Sequence, residues 1–155
     1  MLNNPIEKTP KSTVRGAAAR SLGIIGDPRA VDPLLALLDD QLPRVRFTAA
    51  YALGCIGDPK ACKGLVASLG DDDALTRDAA AEALGKLGCA EAIPALREAL
   101  KADTAWTRLL AVQALHDLGD ELSDETFEEV AQRESRYAVG RRRRWRKLRS
   151  ARTSA

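Results

Sequence analysis

The apolar residues of this chain follow a helical spacing, and the spacing is interrupted at regular intervals. Val31, Leu34, Leu35 and Leu38 lie three or four residues apart, and so do Val45, Ala49, Leu53 and Ile56. Such a period places one apolar stripe on each of two helices. The short polar stretch around residues 39–41 separates them. Because a link of a few residues is too short to connect parallel neighbours, the two helices are predicted to run antiparallel.

This helix pair recurs along the chain every 31 residues. Arginine, leucine and glycine each form a column at that spacing: Arg15, Arg46, Arg77 and Arg108; Leu22, Leu53, Leu84 and Leu115; Gly26, Gly57, Gly88 and Gly119. One helix pair cannot bury its own apolar faces, whereas stacked pairs share a continuous core. The sequence therefore predicts an all-α fold, a right-handed α-solenoid of antiparallel helix pairs.

The ends of the predicted helices carry matching signals. Asp27-Pro28 and Asp58-Pro59 place an N-cap acceptor before a proline at the first helical position. Gly57 follows the second helix of its unit, where a residue free to adopt positive φ can end the helix.

The stretch from Ala30 to Asp58, AVDPLLALLDD followed by VR, AA, ALG and IGD, resembles HEAT repeats of the short phycobilisome-lyase-like subclass. The resemblance covers about residues 12–120 and implies an armadillo-like helical superhelix. Lyases of this subclass attach or detach bilin chromophores on antenna proteins and often act as pairs. The same repeat also occurs in many proteins with no bilin role, so it specifies the fold far better than the function.

We divide the chain into three parts. Residues 1–11 contain Pro5 and Pro10 and are expected to form an irregular N-terminal segment before a helix at residues 12–25. Residues 12–137 form the solenoid, and residues 138–155 a basic C-terminal helix or tail. Without a full first helix, the N-terminal end exposes an apolar face, which predicts cover by the segment itself, by a partner, or by a second copy in a homodimer.

The composition indicates where the protein is located and in which state its cysteines are. No apolar leader opens the sequence and no run approaches the roughly 20 apolar residues of a membrane span, so we expect a cytoplasmic protein. The cysteine count is odd and no C-x-x-C spacing occurs. Cys55, Cys62 and Cys89 are therefore expected to be buried, reduced, small apolar residues.

The variable columns of the second helices indicate a partner-binding face. Positions two, six and ten after the start of each repeat are predicted to point away from the core, and they differ widely in chemistry. Phe47 and Tyr51 lie one turn apart and are candidate anchors, although they could instead fill a gap between repeats. The predicted partner-binding residues are Arg20, Phe47, Tyr51, Glu82, Lys86 and Gln113. Trp106, in a link, is expected to cover the end of the solenoid.

The arginine column has a structural interpretation. Arg15, Arg46, Arg77 and Arg108 open the second helices, and acidic residues such as Asp40, Asp71 and Asp103 occupy the links that precede those helices. Planar guanidinium groups pair well with carboxylates. We predict a ladder of ion pairs between repeats rather than an anion-binding site.

Charge is distributed unevenly along the chain. Residues 141–155 hold eight basic side chains and no acid, so with a net charge of +2 for the whole chain, residues 1–140 carry −6. The basic end could dock on the acidic body, bind nucleic acid with Trp145 stacking on a base, or attach to an anionic membrane surface or another acidic partner. The candidate polyanion-binding residues are Arg141, Arg142, Arg143, Arg144, Trp145, Arg146, Lys147 and Arg149.

The residues contain no recognisable catalytic arrangement. The single histidine, His116, has no cysteine nearby, and no phosphate loop or nucleophile elbow is visible. We expect no catalytic residues, no metal and no cofactor. The favoured function is a non-catalytic scaffold that binds another protein on its concave, second-helix face. The alternatives are a nucleic-acid-associated protein acting through the basic end, and a bilin lyase-like protein, which the family resemblance alone implies.

Overall fold

The structure, a computed structural model, describes residues 9–120, with side-chain surroundings from residue 14 onward. Seven α-helices follow one another in this range, and it contains no strand. They are α1 (Thr9–Ile25), α2 (Val31–Ala36), α3 (Pro43–Ile56), α4 (Cys62–Ser68), α5 (Ala74–Leu87), α6 (Ile93–Ala99) and α7 (Ala105–Asp117). None of these helices is long and apolar enough to cross a membrane. The all-helical class is as the sequence predicted.

The helices alternate between short and long, which builds the predicted pairs. The short first helices α2, α4 and α6 each begin with a 3₁₀ turn, and in the first two units an aspartate caps that turn: Asp27 accepts from the backbone N–H of Arg29, and Asp58 from that of Lys60. Both turns carry proline at their start, as the sequence predicted. Four glycines end the long second helices with φ between 72° and 76°: Gly26, Gly57, Gly88 and Gly119.

The second helices α1, α3, α5 and α7 form a continuous row in which each packs on the next. Glycine makes this packing close. A Cβ built on Gly54 of α3 would lie 2.8 Å from the Cβ of Ala83 on α5, and one on Gly23 would lie 2.8 Å from Ala52. Since real Cβ contacts are longer than this, the glycine column sets the distance between neighbouring repeats.

The core runs along the row and is filled by aliphatic side chains. Leu53, Leu84 and Leu115 of the repeated leucine column are fully buried, and Leu34, Leu65 and Leu96 of the first helices pack with them. Leu22, the first member of the column, is only partly buried. The architecture is an α-solenoid whose shared core is continuous from one pair to the next.

The N-terminal end differs from the other repeats. Helix α1 begins at Thr9, three residues before the boundary expected from the prolines, because Pro10 falls in its first turn, where a missing N–H removes no intrahelical bond. Val14 and Ile25, which align with core positions of later repeats, are 63% and 70% exposed. The apolar side of α1 is thus open among the described residues, and a homodimer through this end stays a prediction.

The cysteine prediction is wrong on two counts. Cys62 and Cys89 form a disulfide with Cα atoms 5.8 Å apart, and Cys55 is exposed. Local spacing hides this pair, because the two residues lie 27 positions apart and meet only when consecutive repeats stack. Cys89 stands in the third unit where Asp27 and Asp58 stand in the first two, and it makes no capping hydrogen bond. Disulfides persist mainly in oxidising compartments, so the redox state of this pair in the native protein tests the compartment expected from the sequence.

Candidate partner-binding site

A pocket lies between the second helices of the first two repeats. It has a volume of about 380 Å³ and is lined by Gly16, Ala17 and Arg20 of α1 and by Arg44, Phe47, Thr48 and Tyr51 of α3. The α3 residues follow the spacing i, i+3, i+4, i+7, which is one face of a helix. Gly16 leaves open the space that a larger side chain on α1 would occupy. The pocket therefore arises from one face of α3 opposite a small residue on α1.

Two aromatic rings form the apolar part of this pocket. The rings of Phe47 and Tyr51 have centroids 6.4 Å apart and planes tilted by 31°, a distance within the favourable range for aromatic pairs. Phe47 is partly buried and packs against the core, whereas Tyr51 is 48% exposed. Phe47 thus fills space beside the core and also lines the pocket, whereas its role as a partner anchor stays a prediction.

Two arginines give the pocket its charge. Arg20 and Arg44 are exposed, and neither forms an ion pair or side-chain hydrogen bond with any described residue. Every other arginine between residues 14 and 120 donates to a carboxylate or a backbone carbonyl. These paired arginines are Arg15, Arg29, Arg46, Arg77, Arg97 and Arg108. The two described arginines that have no acceptor therefore lie at the same pocket.

The arginine column forms a regular set of contacts, shown most fully by Arg46. Its Nε and Nη2 each donate to Asp71 at 2.8 Å, Nη2 also reaches Asp72 at 2.5 Å, and Nη1 donates to the carbonyl of Asp40 at 3.0 Å. Arg77 repeats the pattern with Asp103 at 2.8 Å and the carbonyl of Asp71 at 2.8 Å. Each such guanidinium joins two consecutive links.

The ion pairs of the arginine column join consecutive repeats. Arg15 pairs with Asp40, and Arg46 with Asp71. Each carboxylate partner therefore lies in the link of the next repeat, not in the link that precedes the arginine's own helix. The preceding link contributes backbone carbonyls instead. For Arg108 the described partner is the carbonyl of Ala102. Stacking offsets consecutive repeats by one link, which a linear sequence does not display.

These contacts shift the acidities of the aspartates. The hydrogen bond from Arg15 lowers the pKa of Asp40 below its usual value, against a smaller opposing effect of burial. Burial alone would raise the pKa of Asp71, but hydrogen bonds from Arg46 and from the backbone N–H of Asp73 outweigh burial and lower it. The ionised forms of both aspartates are therefore stabilised by the fold.

The remaining predicted partner-binding residues are not at the pocket. On α5, Glu82 and Lys86 form an ion pair with a 2.8 Å separation, and this pairing raises the pKa of Lys86. On α7, the amide of Gln113 donates to Asp117 at 2.8 Å. These side chains are on the second helices, but each already pairs with a neighbour on its own helix. The structure brings together Arg20, Phe47 and Tyr51 of the six predicted residues.

One of the three variable columns is buried in the third and fourth repeats, although the sequence predicted that all three face outward. Asp78 and Leu109, in the same column as Phe47, are 8% and 3% exposed. Asp78 accepts a hydrogen bond from the hydroxyl of Thr107 at 2.6 Å, and burial raises its pKa. This column turns toward the neighbouring repeat, so the accessible face is narrower than predicted.

Sequence reasoning missed Arg44 and the column to which it belongs. Leu75 and Trp106 follow Arg44 at the 31-residue spacing and are 59% and 41% exposed. They lie near the starts of α5 and α7, as Arg44 does on α3. Arg44 is also one turn before Phe47, and that spacing was the signal that could have identified it. The expected role of Trp106 as an end cover stays a prediction.

Other candidate sites offer less. A more open depression of about 620 Å³ lies along the links between α4 and α6, but its charged residues Asp71, Arg77 and Lys101 are paired with other described side chains. No cluster of metal-binding side chains occurs between residues 14 and 120. The predicted polyanion-binding residues from Arg141 to Arg149 lie outside the described residues, so nucleic-acid binding there stays a prediction.

Comparison with known proteins gives the evolutionary context of this fold. A family model described as HEAT repeats matches residues 5–85 and 63–144. No curated protein matches the chain significantly. Among solved structures, a chain in the complex of CpcE and CpcF of phycocyanin lyase from Nostoc sp. PCC7120 is similar, with a TM-score of 0.65 and 29% sequence identity. The match covers 72% of this chain and 50% of that one, so the present chain spans about half the length of its neighbour.

Proposed function

Because the chain belongs to the HEAT-repeat family, we propose that it is a non-catalytic scaffold that binds another protein on the face formed by α1, α3, α5 and α7. The observation that carries this proposal is the pocket between α1 and α3, where Tyr51 is 48% exposed beside Phe47. A partly exposed aromatic pair in a concave, ready-formed site is typical of the anchor residues of protein interfaces.

The buried core and the exposed second-helix face differ in what their side chains contribute. The repeated apolar columns serve folding, since Ala49 and Leu53 and their equivalents in the third and fourth repeats are fully enclosed. An exposed tyrosine contributes little to that core, but its large and rigid ring can bury much apolar area at low entropic cost when a partner covers it.

Replacement of the aromatic pair tests the proposal. In the variant Phe47→Leu/Tyr51→Ala, leucine keeps apolar volume toward the core while both rings are lost. We expect partner recovery in a pull-down from native lysate to fall about tenfold or more, because truncating an aromatic anchor commonly costs 2 kcal/mol or more. Mass spectrometry identifies and quantifies the partner.

The matched control changes two exposed residues on the first-helix side, Lys63→Ala/Glu91→Ala. Control and wild type should recover the partner equally, and circular dichroism should show the same helix content in all three proteins. Equal recovery by the aromatic variant and the control would remove this face as the binding site.

A second candidate function is bilin handling. It is favoured by the 29% identity and TM-score of 0.65 with a chain of the phycocyanin lyase complex, together with a pocket that combines two rings with Arg20 and Arg44. Arginines of this kind could hold the propionates of a tetrapyrrole, and the chain would then act with a second protein. Titration of the protein into free bilin tests this candidate, and an unchanged absorbance spectrum at high protein concentration would count against it.

A further inference from the structure

We propose that the pocket between α1 and α3 recognises an acidic side chain in an extended segment of the partner protein, with apolar side chains following at intervals of about three residues. This inference rests on the proposed scaffold function and names the chemistry of its ligand. Arg20 and Arg44 would bind the carboxylate of this side chain, and Tyr51 and Phe47 lie beside them.

Arg20 and Arg44 differ from the other described arginines in having no acceptor. Between residues 14 and 120 the fold gives every arginine an acceptor except Arg20 and Arg44, which both line this pocket. A guanidinium has five donors and remains charged at all physiological pH values. Two such groups at the edge of an apolar pocket complement a carboxylate, which accepts charge-assisted hydrogen bonds from both.

The size of the pocket favours a short segment over a folded surface. A volume of about 380 Å³ is at the small end of ligand sites and admits a few side chains. The rings of Phe47 and Tyr51 supply an apolar wall, so the methylene groups of glutamate or a neighbouring aliphatic side chain would contact them. Apolar contact and charge pairing would then occur in the same segment.

The surroundings argue against a long polyanion. Residues 1–140 carry a net charge of −6, and the next helix along the face presents Glu82 as well as Lys86. A nucleic-acid site requires a basic stripe that follows the phosphate backbone. Two arginines at one pocket on an acidic body suit one or two carboxylates instead.

The column that contains Arg44 sets the spacing of the recognised segment. Leu75 and Trp106 occupy its next two positions and are 59% and 41% exposed. Packed helix axes lie about 8–10 Å apart, and an extended chain advances about 3.3 Å per residue. A segment that crosses α3, α5 and α7 therefore meets a new repeat about every three residues. Its acid would face Arg44, and apolar residues three and six positions away would face Leu75 and Trp106.

The test is selection from a display library of random linear 12-residue peptides with the full chain as target. Three variants accompany the wild type: Arg20→Gln/Arg44→Gln, Tyr51→Ala, and the charge-matched control Lys63→Gln/Lys101→Gln, whose two lysines lie on the first-helix side. All keep the basic end, so clones that bind the basic end are retained by every variant and can be subtracted.

We expect clones that bind wild type and control but lose about tenfold or more in affinity on the Arg20→Gln/Arg44→Gln variant, consistent with the loss of charge-assisted hydrogen bonds. These clones should carry Asp or Glu three residues from an apolar residue. Replacement of that acid by Lys should abolish binding to wild type and restore it to Arg20→Glu/Arg44→Glu.

Other outcomes separate this inference from the proposed function. Clones that depend on Tyr51 but not on Arg20 and Arg44, without enrichment in acids, would overturn the acidic ligand and leave the scaffold intact. If no clone depends on any of the three residues, both fail. Tight binding of a labelled single-stranded oligonucleotide that is lost only in Arg20→Gln/Arg44→Gln would assign the pocket to nucleic acid and overturn the peptide.

Discussion

Arginines of identical chemistry differ in what they contribute here, and the difference is set by their surroundings. Arg46 is 12% exposed and its guanidinium joins Asp71, Asp72 and a carbonyl of its own link. Arg29 also contacts an aspartate, Asp27, at 2.5 Å, but its side chain is 91% exposed. Water competes for the second pair and is largely excluded from the first. A tally of ion pairs would count the two as equal, although only the first joins neighbouring repeats.

The substitution Arg46→Ala is expected to lower the free energy of unfolding by about 2 kcal/mol, because it removes the arginine donors to a partly buried carboxylate and to a backbone carbonyl. Arg29→Ala is the control and should leave the urea midpoint unchanged. Urea denaturation of both variants at neutral pH provides the measurement.

The effect of Arg46→Ala should also depend on pH. The folded-state pKa of Asp71 is lowered, so its contribution is present above the unfolded value of about 3.9 and disappears as the pH falls through the folded value. The difference between wild type and Arg46→Ala should therefore narrow below about pH 4. A difference that stays constant from pH 7 to pH 3 would mean that the pair does not stabilise the fold.

At the scale of elements, the distance between second helices depends on glycine. Gly54 on α3 and Gly85 on α5 face alanines of the next helix, and a Cβ on either would lie 2.8–2.9 Å from an atom of that alanine. The equivalent position on α7 is His116. Helices α1, α3 and α5 therefore each allow a close neighbour on this side, and α7 does not offer the same surface.

Gly54→Ala and Gly16→Ala are the same chemical change, but they are expected to shift stability in opposite directions. Alanine at residue 54 would force α3 and α5 apart, with an expected loss of about 1–3 kcal/mol from overpacking. At residue 16 the added Cβ would have its nearest neighbour, the hydroxyl of Thr48, at 3.9 Å, so the better helix propensity of alanine should raise stability by up to about 1 kcal/mol. Thermal unfolding followed by circular dichroism measures both. If Gly54→Ala also raises the midpoint, the glycine column does not set the repeat distance.

The elements themselves were predictable from the sequence because they depend on local rules. Apolar spacing, the caps Asp27 and Asp58, and the terminating Gly57 each act within one helix or one turn, and the structure places them as expected. Helix α1 begins three residues earlier than the sequence predicts, because the first turn of a helix tolerates proline. Within an element, the sequence carries nearly all of the information.

At the scale of the whole molecule, the side-chain contacts between neighbouring repeats could not be predicted from the sequence. The carboxylate partner of Arg46, the burial of Asp78 against Thr107 and the pairing of Cys62 with Cys89 all depend on the offset between stacked pairs. The periodicity of a sequence gives the repeat length but not that offset. The pocket was only partly predicted. Phe47 and Tyr51 are neighbours on α3, and Arg20 meets them only across the boundary between α1 and α3. Arg44, on the same helix as the two rings, was not predicted.

The disulfide connects the second repeat to the third, and it should stabilise the chain mainly by restricting the unfolded state. A loop closed by residues 27 positions apart corresponds to about 3–4 kcal/mol in the chain-entropy model. After oxidation in a glutathione buffer, the variant Cys62→Ser/Cys89→Ser should unfold at lower urea concentration by that difference. Dithiothreitol should bring the wild type to the level of the variant and leave the variant unchanged.

Thiol counting separates the cross-link from any other effect of the serines. Of three cysteines in the chain, only Cys55 should react in the oxidised, denatured wild type, and all three after reduction. Cys55→Ser is the matched control: it should show no free thiol before reduction and retain the full stability of the oxidised protein. Three reactive thiols before reduction would contradict the pairing. If the pair is present in the protein isolated from its native source, the repeats are held together by a bond that a reducing compartment would break, and the cytoplasmic location predicted from the sequence would be wrong.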